Sequence, residues 1–140
     1  MQTTMSEYDK QAADFLAKYG IKFRATLSDT KTAEWDDGKT GQRHHYRITL
    51  SKPGAGVSFD FFGSVADYKA GRKEATPYDV LACLSSDANT PETFEEFCSE
   101  YGYNADSRKD YATFRRCDRL ARRLRAFFTA EELAGLNEIQ

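Results

Sequence analysis

The stretch 107–126 constrains the fold of this chain more than any other. Phe114, Cys117, Leu120, Ala121, Leu124 and Phe128 recur at helical spacing, and most of the arginines among them fall on the opposite side. A helix of this kind must bury one face and leave the other to water or to a partner. Its cations are Arg108, Lys109, Arg115, Arg116, Arg119, Arg122, Arg123 and Arg125, against Asp110 and Asp118. The segment therefore carries +6 in a chain of net charge −2, and the remainder carries −8. Such segregation bears on partners rather than on fold.

Helix starts are marked along the chain by a hydroxyl three residues before a carboxylate. Ser6-Glu7-Tyr8-Asp9, Thr76-Pro77-Tyr78-Asp79, Ser107-Arg108-Lys109-Asp110 and Thr129-Ala130-Glu131-Glu132 share the pattern. The hydroxyl takes up an orphan N–H, and the acid meets the positive end of the helix dipole. Thr90-Pro91-Glu92 predicts a further start, with proline at the first helical position. The predicted helices are about 6–19, 77–85, 91–101, 107–126 and 130–138. The helix at 91–101 places Phe94, Phe97, Cys98 and Tyr101 on one face and Glu92, Glu95, Glu96 and Glu100 on the other.

Between the first and second helices the period changes to two. Ile21, Phe23, Ala25 and Leu27 alternate with Lys22, Arg24 and Thr26, predicting a half-buried strand that runs on irregularly towards Trp35. Tyr46, Ile48 and Leu50 mark a second strand at about 43–51, and Val57, Phe59 and Phe61 a third at about 57–62. Asp36-Asp37-Gly38-Lys39-Thr40-Gly41 and Ser51-Lys52-Pro53-Gly54-Ala55-Gly56 are turn-rich connections. Residues 64–75 read as a loop or a brief helix. With 140 residues, 40% hydrophobic and 14% aromatic, the chain suits one domain over 1–140. The expected class is α+β: an N-terminal helix, a three-stranded antiparallel β-meander, and C-terminal helices packed on the sheet.

No apolar run approaches the roughly 18 residues that span a bilayer, and the N-terminus lacks a basic segment leading into an apolar one. The expectation is a cytoplasmic protein with no membrane partner. Cys83, Cys98 and Cys117 are an odd number without a close pair, so they read as buried thiols rather than disulfides or zinc ligands. His44 and His45, adjacent on a strand, point to opposite faces and cannot readily chelate one metal. Asp36-Asp37 and Glu95-Glu96 read as solvated carboxylates, since acid–base work requires burial or a partner that separates their acidities. The glycine-bearing 51–56 segment joins two strands instead of leading into a helix, so it is a hairpin and not a phosphate cradle. These readings predict no catalytic residue, no cofactor and no metal.

The basic helix has two readings. Its arginines contact phosphates or an acidic protein surface, or they are neutralised by the acidic helix at 91–101. Arginine in place of lysine suits bidentate contacts at interfaces. Only Tyr111 lies among these cations, which gives little platform for stacking single strands. The expected contacts are Arg115, Arg116, Arg119, Arg122 and Arg123.

Pro77-Tyr78-Asp79-Val80-Leu81-Ala82-Cys83-Leu84, then Thr93-Phe94-Glu95-Glu96-Phe97-Cys98-Ser99-Glu100-Tyr101-Gly102-Tyr103 and Asp106-Ser107-Arg108, resemble a family of small proteins encoded by bacteriophages and other bacterial mobile elements. The resemblance covers about the C-terminal half and, more loosely, the strands. It implies a non-enzymatic protein that inhibits a host defence complex, in the manner of anti-CRISPR proteins, by binding a host protein or ribonucleoprotein. It carries over no catalytic residue. The order helix, three-stranded meander, helix also resembles double-stranded RNA-binding domains, and this implies nucleic-acid binding as the alternative. Those domains open their second helix with lysines, whereas this chain has Pro77-Tyr78-Asp79 there.

Overall fold

The computed structural model describes residues 7–34, 38, 40–66 and 75–139. The expectations for the Ser6 cap, Trp35, Asp36-Asp37 and 67–74 lie outside the described residues. Helix α1 (Glu7–Tyr19) is followed by strands β1 (Lys22–Glu34), β2 (Thr40–Lys52) and β3 (Ala55–Ala66). Helices α2 (Pro77–Ala88), α3 (Phe94–Tyr101), α4 (Arg108–Phe127) and α5 (Ala130–Asn137) complete the chain. The fold is α+β, with the element order the sequence predicts.

The strands form an antiparallel sheet in the order β1-β2-β3. Lys52 pairs with Ala55, which leaves Pro53-Gly54 as the turn, and Gly54 takes φ 83°, a left-handed conformation that glycine adopts without strain. In register, Phe23, Leu50 and Val57 lie side by side, followed by Ala25, Ile48 and Phe59 and then by Leu27, Tyr46 and Phe61. This is the face that packs. Ile48, Leu50, Val57, Phe59 and Phe61 join Ala12 and Phe15 of α1, Val80, Leu81 and Leu84 of α2, Leu124 and Phe127 of α4 and Leu136 of α5 in one apolar cluster. Helix α2 packs against α1, α4 and α5, and α4 lies along β3.

Strands β2 and β3 are longer than the apolar alternation predicts, and β3 takes in 64–66, read above as loop or brief helix, whereas β1 runs on irregularly to Glu34 as expected. Cross-strand pairing continues to Glu34, Thr40 and Ala66, beyond the residues that touch the core. The half-buried reading of β1 also fails past Phe23, for Ala25 is exposed and Leu27 is 51% exposed. The reason is placement. Strand β1 is an edge strand, whereas α4 lies along β3 at the opposite edge. A register shift after Leu27 then sets Asp29 opposite His45 and Thr30 opposite His44.

The start of α3 also departs from expectation. Thr93, not Thr90, caps it, with the Thr93 hydroxyl accepting from the Glu96 N–H at 3.2 Å. Thr90 instead closes the end of α2, donating its hydroxyl to the Asp87 carbonyl at 2.8 Å. Thr93-Phe94-Glu95-Glu96 is itself a hydroxyl-x-x-acid start, and Thr90 is already engaged. The remaining starts are as predicted, with Thr76, Ser107 and Thr129 capping α2, α4 and α5.

Thr129 and Glu132 form a complete capping box. The Glu132 carboxylate also accepts from Lys52 at 2.6 Å, with both side chains largely buried. Burial alone would raise the Glu132 carboxyl, but the hydrogen bonds from Lys52 and from the Thr129 N–H outweigh it and leave it below its usual range. This pair joins the β2–β3 hairpin to α5 across most of the sequence.

Candidate binding face on helix α4

Ser107 starts α4 by accepting from the Asp110 N–H at 3.2 Å, and the Asp110 carboxylate in turn accepts from the Asn104 N–H at 2.8 Å. The buried side of the helix is Phe114, Asp118, Ala121, Leu124 and Phe127. Asp118 is the unforeseen member. One of its oxygens accepts from Arg122 Nε at 2.9 Å, and the other is buried without a hydrogen-bond partner among the described residues. Around Phe114 a second aromatic group ties α3 to α4. Phe97 and Phe114 have ring centroids 5.3 Å apart, and Phe94 and Tyr111 5.1 Å.

All five arginines singled out from the sequence, Arg115, Arg116, Arg119, Arg122 and Arg123, are exposed. Their spacing sets them within about a third of the helix circumference. Arg115, Arg119 and Arg122 form one stripe, and with Tyr111, Asp118 and Glu92 they line an open groove of about 440 Å³. Arg116 and Arg123 lie beside it, one heptad apart.

The structure does not treat the five alike. Arg122 is held by Asp118. Arg123 donates to the Ser58 carbonyl of β3. Arg115 reaches the Tyr111 hydroxyl at 3.4 Å and Arg116 the Thr113 hydroxyl at 3.3 Å, both weak bonds within α4. Arg119 has no hydrogen bond or ion pair within the described residues. Arg125, outside the five, donates to the Ala88 carbonyl at the end of α2, where it meets the negative end of that helix.

The acidic helix does not neutralise this face by direct pairing. Among the described residues no ion pair joins α3 to α4, and Glu95, Glu96 and Glu100 do not line the arginine groove. Of α3 and its approach, only Glu92 borders the groove.

The two histidines diverge as their adjacency requires. His44 bonds the Thr30 hydroxyl at 2.9 Å on the packing face, while His45 meets Asp60 at 3.0 Å and Asp29 at 3.7 Å on the other, with its ring stacked on Phe62. Among the described residues no three histidine, cysteine or acidic side chains gather to hold a metal ion. Cys98 is buried, whereas Cys83 and Cys117 are partly so, and all three are free. Burial and the Asp110 charge push the Cys98 thiol up, and burial and Asp87 do the same to Cys117, so neither is an activated nucleophile. No helix among the described residues is long and apolar enough to cross a membrane.

The chain matches no protein-family model, no curated protein and no solved structure.

Proposed function

We propose that this chain is a non-enzymatic binding protein that associates with another protein through the exposed arginines of α4. The observation that carries this reading is the set of five exposed guanidinium groups on one arc, unpaired with the acidic α3. A solvated arginine face gains little by itself, but guanidinium forks bind carboxylates bidentately once a partner excludes water. The resemblance over residues 77–108 supplies the partner class. It is a host defence complex in the bacterial cytoplasm, which this chain inhibits by stoichiometric association.

The test uses the arginines that do not hold the fold together. Arg115→Glu with Arg119→Glu leaves the Arg122–Asp118 pair and the Arg123 contact to β3 in place. Affinity capture from a bacterial lysate, with mass spectrometry, should recover components of a defence complex on the wild-type chain. The double variant should lose them by about tenfold or more, with unchanged circular dichroism. Equal recovery on both chains sinks the proposal.

Direct nucleic-acid binding by the same helix is the second reading, favoured by the α1-β1-β2-β3-α2 order that resembles double-stranded RNA-binding domains. It requires a mobility shift that weakens steeply with salt as counterions are released. The −8 charge on the rest of the chain opposes it.

A further inference from the structure

A second pocket lies between the end of α2, helix α3 and helix α4, away from the arginine groove. It measures about 180 Å³ and is lined by Asp87, Thr90, Phe97, Tyr101, Tyr103 and Cys117 among others. That is below the roughly 300 Å³ at which drug-sized ligands are usually held, so it suits a head group rather than a whole cofactor.

Asp87 is the penultimate residue of α2, at the negative end of the helix dipole, where an anion is disfavoured. The last turn of α2 contains no basic residue. No hydrogen bond or ion pair reaches this carboxylate from the described residues. Arg125 of α4 donates to the neighbouring Ala88 carbonyl and not to this carboxylate, and Arg116 bonds only the Thr113 hydroxyl, weakly, at 3.3 Å. Burial holds the Asp87 carboxyl up at about 6, so at neutral pH it is a partly buried anion with no ion pair from the described residues.

Its surroundings are aromatic. Phe97 is buried, with Tyr103 stacked on it at 5.1 Å and Tyr101 tilted against it at 5.0 Å. Tyr101 and Tyr103 are both exposed. A carboxylate beside clustered aromatic rings is chemistry that suits an organic cation, because ring quadrupoles attract a weakly hydrated cation and the acid supplies the countercharge. Cys117 lines the pocket as a protonated thiol, which adds no reactive group.

We propose that this pocket is a binding site for an organic ammonium head group, held by the Asp87 carboxylate among Phe97, Tyr101 and Tyr103. The shared chemistry has two sources, a free quaternary ammonium compound and a lysine side chain of a partner. The pocket shares no lining residue with the groove of Arg115, Arg119 and Arg122.

The experiment is calorimetric titration of the intact chain with three probes: choline, its uncharged carbon isostere 3,3-dimethylbutanol, and n-butylammonium as the mimic of a lysine head. One of the two cations should bind at one site per chain, and the isostere about tenfold or more weaker. Preference for choline marks a free quaternary ammonium, and preference for butylammonium marks a lysine. Asp87→Asn should abolish cation binding, and Tyr103→Ala should weaken it several-fold by about the worth of one ring. The Arg115→Glu, Arg119→Glu chain should bind as the wild type does, so loss of partner capture and loss of this site are told apart. Binding of neither cation overturns the proposal, as does equal affinity for the isostere or undiminished binding to Asp87→Asn.

Discussion

Three acids show how differently one fold treats a carboxylate. Asp60 is exposed, and the hydrogen bond from His45, then Arg47, holds it below its usual range. Glu132 is buried yet also lowered, because Lys52 and the Thr129 N–H hold its charge. Asp87 is raised to about 6 by burial with nothing to offset it. The sign of its effect on stability follows. The folded state keeps the Asp87 proton at a pH where the unfolded chain, near 3.8, has released it. Its contribution is therefore full below 3.8 and is lost as pH rises through about 6. Asp87→Asn removes that loss and should raise stability by about 2 kcal/mol at neutral pH, allowing for partial exposure, with little change near pH 4. Urea denaturation of both chains across this range checks it, and a difference independent of pH contradicts the assignment.

The helices owe their boundaries to hydroxyl caps more than to apolar content. Thr76, Thr93, Ser107 and Thr129 each accept an N–H three residues on. Helix α3 depends on this most, since it spans only Phe94–Tyr101 and packs chiefly on α4. Thr93→Ala should lower stability by about 1 kcal/mol, whereas Thr93→Ser should retain most of it. Thermal denaturation distinguishes the two, and an Ala variant equal to wild type removes the cap from the account. The same comparison explains the misplaced start. Thr90-Pro91-Glu92 and Thr93-Phe94-Glu95-Glu96 both carry start signals, and sequence spacing cannot rank them. The choice was made by the end of α2, which takes the Thr90 hydroxyl for the Asp87 carbonyl.

At the level of the molecule, the helices serve one side of the sheet unequally. Ile48 and Leu50 in the middle strand are fully buried, while Leu27 on the same face of the edge strand is open to solvent. Ile48→Ala should therefore cost about 3 kcal/mol, and Leu27→Thr should stay within about 0.5 kcal/mol of wild type. Chemical denaturation midpoints test the pair, and a large loss at Leu27 would mean that this face is covered in solution. The alternation in β1 correctly placed a strand but not its burial, because period two records which face a residue shares and not whether anything packs on it. The five arginines were legible as the polar side of an amphipathic helix. That Asp118 holds Arg122, that Arg123 reaches β3, and that Arg119 has no hydrogen bond or ion pair among the described residues were not legible.

The order of the elements, the α+β class, most helix starts and the outward side of α4 can all be read from the residues in a line. These are settled by residues within a turn or a strand pair of one another, through caps, periodicity and the Pro53-Gly54 hairpin. How the arginines divide between contacts within the fold and open solvent, which strand lies uncovered, and that Asp87 lines one pocket with Phe97 and Tyr101 emerge only from the folded arrangement. Each of those depends on groups far apart in the chain, and burial, pairing and the acidity of a carboxylate arise only once they meet.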